Sequence, residues 1–224
     1  MKKFTFLFLL ASAVLFAQEP SIKKLGDFSS IKVFNGLTVN LIAAKKASIQ
    51  LFGEKADDVV FKNNNGLLKI SMKFPDTFNA KDVSVTVFYT KDLHTIDANE
   101  GSIVQSSDVL KGQNIELRVQ EGAHINLDIK AKYLTLKAIS GGILTLDGET
   151  TNQRIEVTTG GVYEGYHLTS VHTDIVCSTG GRAGIHVTED LDANVRFGGT
   201  VTYKGSPSSI QKTKFLGGRI KAYK

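Results

Sequence analysis

A glycine pair, or its near-equivalent, returns at almost constant intervals through the latter part of this chain. No other feature constrains the fold as tightly. The series is Glu100-Gly101-Ser102, Glu121-Gly122-Ala123, Gly141-Gly142, Gly160-Gly161, Gly180-Gly181, Gly198-Gly199 and Gly217-Gly218. Successive first glycines differ in position by 21, 19, 19, 20, 18 and 19. Twenty-one glycines scattered at random over 224 residues would not keep that spacing. A period near 20 residues predicts a solenoid in which each repeat lays one coil on the last. Glycine suits the corner of such a coil, where the backbone takes positive φ and neighbouring coils pass closely.

The residues between the glycines name the coil type. Short alternating runs follow each pair, as in Ile143-Leu144-Thr145-Leu146 and Thr200-Val201-Thr202-Tyr203. A polar break comes next, then a second run such as Ile115-Glu116-Leu117-Arg118-Val119 or Arg154-Ile155-Glu156-Val157. Alternation of period two in Val, Ile, Thr and Tyr reads as strand, and no 11-residue window carries a helical stripe. The expected fold is all-β, a single-stranded β-helix or β-solenoid with coils of about 20 residues. Ahead of Glu100 the alternating runs are irregular: Ile31/Val33, Leu37/Val39/Leu41, Ile49/Leu51, Leu68/Ile70/Met72 and Val83/Val85/Val87. Turns are expected at Asn35-Gly36, Phe52-Gly53-Glu54 and Asn63–Gly66, and an irregular loop over Lys73–Asp82.

The N-terminus reads as an address. Lys2 and Lys3 precede an apolar run from Phe4 to Phe16, and Ala17 offers a small residue for cleavage. That is a secretory signal pattern, too short to span a membrane. Residues 1–17 are therefore expected to be a signal peptide and 18–224 a single solenoid domain, with irregular coils over 21–99 and regular repeats over 100–224. The mature protein is expected to be exported, to the periplasm, the cell surface or the medium, with no transmembrane segment. No cysteine follows the run, so no lipid anchor is expected there. Cys177 stands alone, which excludes an intrachain disulfide and a cysteine-built zinc site. A net charge of +5 is too small to imply nucleic acid, and no basic cluster interleaving with aromatics stands out. No cofactor is expected.

Three stretches stand out together: Asp27-Phe28-Ser29-Ser30-Ile31-Lys32-Val33, the serial small-Gly-Gly corners, and Gly199-Thr200-Val201-Thr202-Tyr203-Lys204-Gly205-Ser206-Pro207. In combination they resemble the head GIN domain family, an auto-transporter-adhesin grouping common in Bacteroidetes-type bacteria. The likeness runs from about Leu25 to Lys224 and implies a β-helical fold of exported proteins. Thr159-Gly160-Gly161, Phe197-Gly198-Gly199 and Leu216-Gly217-Gly218 stand where many members show Ser-Gly-Ser-Gly, a departure that bears on subfamily more than on fold.

Registering the repeats on the first glycine sorts lumen from surface. Third positions read Val104, Ile125, Leu144, Tyr163, Ala183, Val201 and Ile220, and fifth positions Leu127, Leu146, Gly165, Ile185, Tyr203 and Ala222. Both sets face the lumen by strand parity. The second, fourth and sixth positions face out and carry the candidate ligand-binding residues Asp128, Asp147, Glu164, Tyr166, Arg182, His186, Lys204 and Tyr223. They would form a flat polar platform, with Tyr166 and Tyr223 stacking on sugar rings. Any outward wall must be polar, so that pattern alone accounts for most of these residues.

The function expected is a non-enzymatic binding or adhesion-type module for glycan, cell-envelope or protein partners. Self-association through the end coils is a further option, because an unpaired last strand at Arg219–Tyr223 needs a cap or a mate. The alternative is a carbohydrate-active enzyme, a lyase or hydrolase, using Asp128 with Asp147 or Asp147 with Glu164 as a carboxyl pair. No catalytic or metal-ligating residue is assigned. The five histidines read as surface residues, the nonapeptide calcium pattern is missing, and Cys177 reads as a small core residue.

Overall fold

A computed structural model of the chain describes residues 21–75, 80, 83–90 and 92–223. The expected signal peptide lies outside these residues, as does most of the expected loop after Lys73. Among the described residues, seventeen strands join into one continuous sheet that winds into a β-solenoid of about seven turns. The one helical element among them is a 3-10 turn at Ala56–Asp58.

The regular coils are built from β8 (Thr95–Ala98), β9 (Ile103–Ser106), β10 (Leu110–Val119), β11 (His124–Ala138), β12 (Ile143–Val157), β13 (Val162–Cys177), β14 (Arg182–Arg196), β15 (Thr200–Lys204), β16 (Ser209–Phe215) and β17 (Arg219–Ala222). All pair in parallel, and the register climbs one coil at a time from Leu117 to Leu136 to Ile155. Like residues therefore stack: Val119, Ala138, Val157, Cys177 and Val195 form one lumen ladder, and Ile125, Leu144, Tyr163, Ala183 and Val201 another. The lumen positions read from sequence are buried up to Tyr203. Ile220 is only partly buried and Ala222 is exposed.

Each glycine corner is a two-residue turn with both central residues at positive φ, for example Ser140 at 49° and Gly141 at 75°. Gly142 N then donates to Ile139 O at 2.9 Å, closing the type I′ geometry. Corners also bond to one another along the axis: Gly141 N donates to Thr159 O, and Gly160 N to Thr179 O. The second glycine of each pair has a different reason. A Cβ on Gly161 would lie 2.2 Å from Ala138 O of the coil below, so only glycine lets the coils close there. Two earlier corners use Ser102 and Ala123 instead, both buried.

The N-terminal third departs from sequential winding. β2 (Ser30–Val33) pairs in parallel with β8 on one side and with β6 (Leu67–Met72) on the other. β3 (Thr38–Ala43) likewise lies between β9 and β7 (Ser84–Tyr89). The first coil in sequence is thus the second in space, and Asn35-Gly36 is one of the stacked corners, with Gly36 N donating to Glu100 O. Antiparallel β1 (Ser21–Lys24), β4 (Ser48–Phe52) and β5 (Val59–Asn64) border this end. They occupy what would otherwise be open parallel edges. At the other end β16 sets Lys212 and Lys214 in register with the lumen residues Ala193 and Val195. Lys212 Nζ donates to Tyr203 Oη at 3.0 Å and sits 4.7 Å from that ring's centre, so charge shares the cover of the lumen there with Ile220 of β17.

Candidate functional site

The solenoid offers two walls that meet at the glycine corners. The downstream wall, formed by the strands after each corner, holds all the residues singled out from the sequence. Asp128, Asp147, Glu164, Arg182, Lys204 and Tyr223 are exposed there, and Tyr166 and His186 are half-buried.

Asp128 and Asp147 face each other in register on β11 and β12. The next step breaks the column. The β12–β13 register shifts between Thr145 and Asp147, so Asp147 pairs with His167 and not with Tyr166. A second shift puts His186 opposite Thr169, leaving Tyr166, His167 and Leu168 without β14 partners. The coil from Gly160 to Gly180 is longer than the one before it, and the coil from Gly180 to Gly198 is shorter; the bulge absorbs the mismatch. Tyr166 turns along the axis and covers Gly184, where a Cβ would come within 2.3 Å of its ring. It meets Tyr223 with ring centres 5.1 Å apart and planes at 52°. Tyr166 and Tyr223, the two tyrosines expected to stack on sugar rings, thus pack on one another.

Polar contacts fix the rest of this wall. The imidazole Nε2 of His124 lies 3.0 Å from Thr145 Oγ1, and His186 Nδ1 lies 3.2 Å from Thr169 Oγ1. Burial, and then the Lys204 charge beside it, lowers the His186 pKa below its usual value. Lys130 and Glu149, in register beyond the wall, close to 2.6 Å. Their hydrogen bond raises the lysine pKa and lowers that of the carboxyl.

The upstream wall carries a charge mosaic that the sequence reading did not single out. Lys32–Asp97 (2.8 Å), Arg118–Glu116 (2.6 Å), Lys137–Glu156 (3.1 Å) and Arg154–Asp174 (3.3 Å) line a depression of about 740 Å³. Shifting the sequence by one coil places Arg118 on Lys137 on Glu156, so the signal was present. Asp97 is the buried member, also receiving a hydrogen bond from Asn99 Nδ2 at 3.0 Å. A glycosidase pair needs one carboxyl held neutral beside the other. Each of these four carboxylates instead faces a cation.

A larger depression of about 990 Å³ runs past Asp128, Lys130, Glu149 and Thr169, open to solvent along the coils. Among the described residues, His172, Glu189 and Asp190 bring one ligand atom each within 4.8 Å of one another. His172 Nδ1 already lies 2.6 Å from Asp190 Oδ2, and all three residues reach solvent. Cys177 is buried in the lumen ladder, where burial raises its thiol pKa, which matches a core role. No helix among the described residues is long and apolar enough to cross a membrane.

Solved structures share this architecture. A “putative adhesin” from Bacteroides fragilis NCTC 9343 superposes with a TM-score of 0.82 at 19% identity, covering 92% of this chain and 98% of that one. Two more with the same description, from Parabacteroides distasonis ATCC 8503 and Parabacteroides merdae ATCC 43184, superpose at 0.71 and 0.70 with 18% and 19% identity. Each covers 92% of this chain and 96% of its own. These identities speak for the fold alone. No curated protein matches the sequence. The family described as “Putative auto-transporter adhesin, head GIN domain” matches residues 27–207, and the chain belongs to it.

Proposed function

We propose that this chain is an exported, non-enzymatic binding module of the adhesion type that lays its downstream wall along an envelope polymer, a glycan first among them. The observation that carries the reading is the wall itself. Asp128 and Asp147 stack in register, and Glu164, Arg182 and Lys204 project beside that pair from the next three parallel strands, spaced about 4.8 Å apart by the sheet. Such a wall meets an extended polymer through many shallow contacts and needs little reorganisation to do so. The depressions described are open troughs along the coils, which suits a polymer better than a small enclosed substrate.

The test is a glycan and envelope-polysaccharide array probed with residues 18–224. Binding should fall with Asp147→Asn, Glu164→Gln or Tyr223→Ala and survive the upstream-wall change Lys137→Gln. Retention by all three downstream variants, or no binding to any polysaccharide, would overturn the reading. The register pair Asp128/Asp147 favours a second reading, a carbohydrate-active enzyme. Cleavage of a bound glycan that Asp147→Asn abolishes would establish it in place of the first.

A further inference from the structure

The corner tips change character along the axis. The first positive-φ residue of the stacked corners is Asn35, Glu100, Glu121, Ser140, Thr159 and Thr179 in turn, then Phe197 and Leu216. Phe197 is 49% and Leu216 62% exposed, and neighbouring Phe215 is 57% exposed with its ring edge-on to Phe197, centres 5.8 Å apart. Bulky apolar side chains are uncommon at positive φ, and these add little to the core. The backbone does not require them. Gly180 N donates to Phe197 O and Gly198 N to Leu216 O, repeating the bond from Gly141 N to Thr159 O. A serine or threonine would sit in the same turn.

Charge changes over the same coils. Residues 92–192 hold fifteen Asp and Glu against seven Lys and Arg, whereas residues 193–224 hold seven Lys and Arg and no acid. The cations of this segment are spread along the chain, and the coils gather them. Arg196 pairs in register with Phe215, and Arg219 follows the Leu216 corner on the ladder that also holds Arg182 two coils away. Lys204 and Lys221 are exposed on the adjoining wall. An apolar edge is thus flanked by cations on both sides.

We infer that this corner is a docking surface for an anionic lipid bilayer. Phe197, Phe215 and Leu216 enter the boundary between headgroups and acyl chains, and Arg196, Arg219 and the nearby lysines meet the phosphates. Charge alone would serve any polyanion. The exposed aromatic and aliphatic tips favour a surface with an apolar layer beneath its charge. End-to-end stacking of copies fits less well, because Lys23 and Lys24 on β1, a strand bordering the far end of the solenoid, would set cation against cation.

Every described strand lies after residue 20, so residues 18–224 serve for the test and keep the apolar run at 4–16 from binding lipid itself. Flotation with vesicles of phosphatidylcholine, and of equal parts phosphatidylcholine and phosphatidylglycerol, should show binding to the anionic vesicles only, weakening as salt rises. Phe197→Thr with Leu216→Ser should lower that partition about tenfold while leaving circular dichroism unchanged. Arg196→Gln with Arg219→Gln should lower it and flatten its salt dependence. The downstream-wall change Asp147→Asn should leave it untouched, which separates this surface from the proposed glycan wall. Four results would overturn the inference: no vesicle binding, equal binding by the corner variants, binding to soluble polygalacturonate without vesicles, or a doubled mass in light scattering that the corner variants abolish.

Discussion

Tyr163 Oη donates a hydrogen bond of 3.1 Å to Gln153 Oε1 inside the solenoid, among side chains that are otherwise mostly apolar. Gln153 Nε2 in turn donates to Ser170 Oγ at 2.7 Å and Thr173 Oγ1 at 3.0 Å, and Ser170 Oγ to His186 O. Gly165 makes the room: a Cβ there would lie 2.3 Å from the Tyr163 hydroxyl. Desolvation pushes the phenol pKa strongly up, so it stays a donor. Tyr163→Phe should cost about 1–2 kcal/mol, because Gln153 loses one partner. Gln153→Leu should cost more, since it strips partners from Tyr163, Ser170 and Thr173 together. Urea unfolding checks both, and equal effects would show that the glutamine does not organise the cluster.

The two glycines of one corner should respond differently to the same methyl group. Gly160 has positive φ and open space around its Cβ position, so Gly160→Ala should cost about 1–2 kcal/mol of backbone strain. Gly161→Ala drives a Cβ against Ala138 O and should lower the melting temperature further. The reverse order would contradict the packing of adjacent coils.

Leu146 is fully buried in the lumen, so Leu146→Asp sets an unpaired carboxylate there and should abolish folding. Limited proteolysis is the measurement. A protease-resistant product would mean that the ladder does not hold.

His186 gives the fold an acid-sensitive contact. Its folded pKa is lowered below 6.5, so the unfolded chain binds the proton more readily. Its stabilising contribution is therefore present above that value and is lost as pH falls through the window beneath it. His186→Gln should flatten the decline in melting temperature between about pH 7 and pH 5. Parallel pH profiles for the two proteins would exclude the histidine as a source.

Much of this architecture was legible in the residues. The glycine period placed the corners, and strand parity placed Leu144, Leu146 and Ile185 inside and Asp128, Asp147 and Glu164 outside. Reading each repeat in isolation, however, hid the upstream mosaic. Lys32 and Asp97 are distant in sequence and meet only because β2 slots in beside β8.

What the sequence determined by itself was the local period: strand alternation and a positive-φ corner at every turn of the coil are properties of short segments. The tertiary structure decided the order of the first coils, the bulge that turns Tyr166 onto Tyr223, and the gathering of late cations around Phe197 and Leu216. Each depends on register between distant strands. A register is chosen by the packing of the whole stack, which no single repeat encodes.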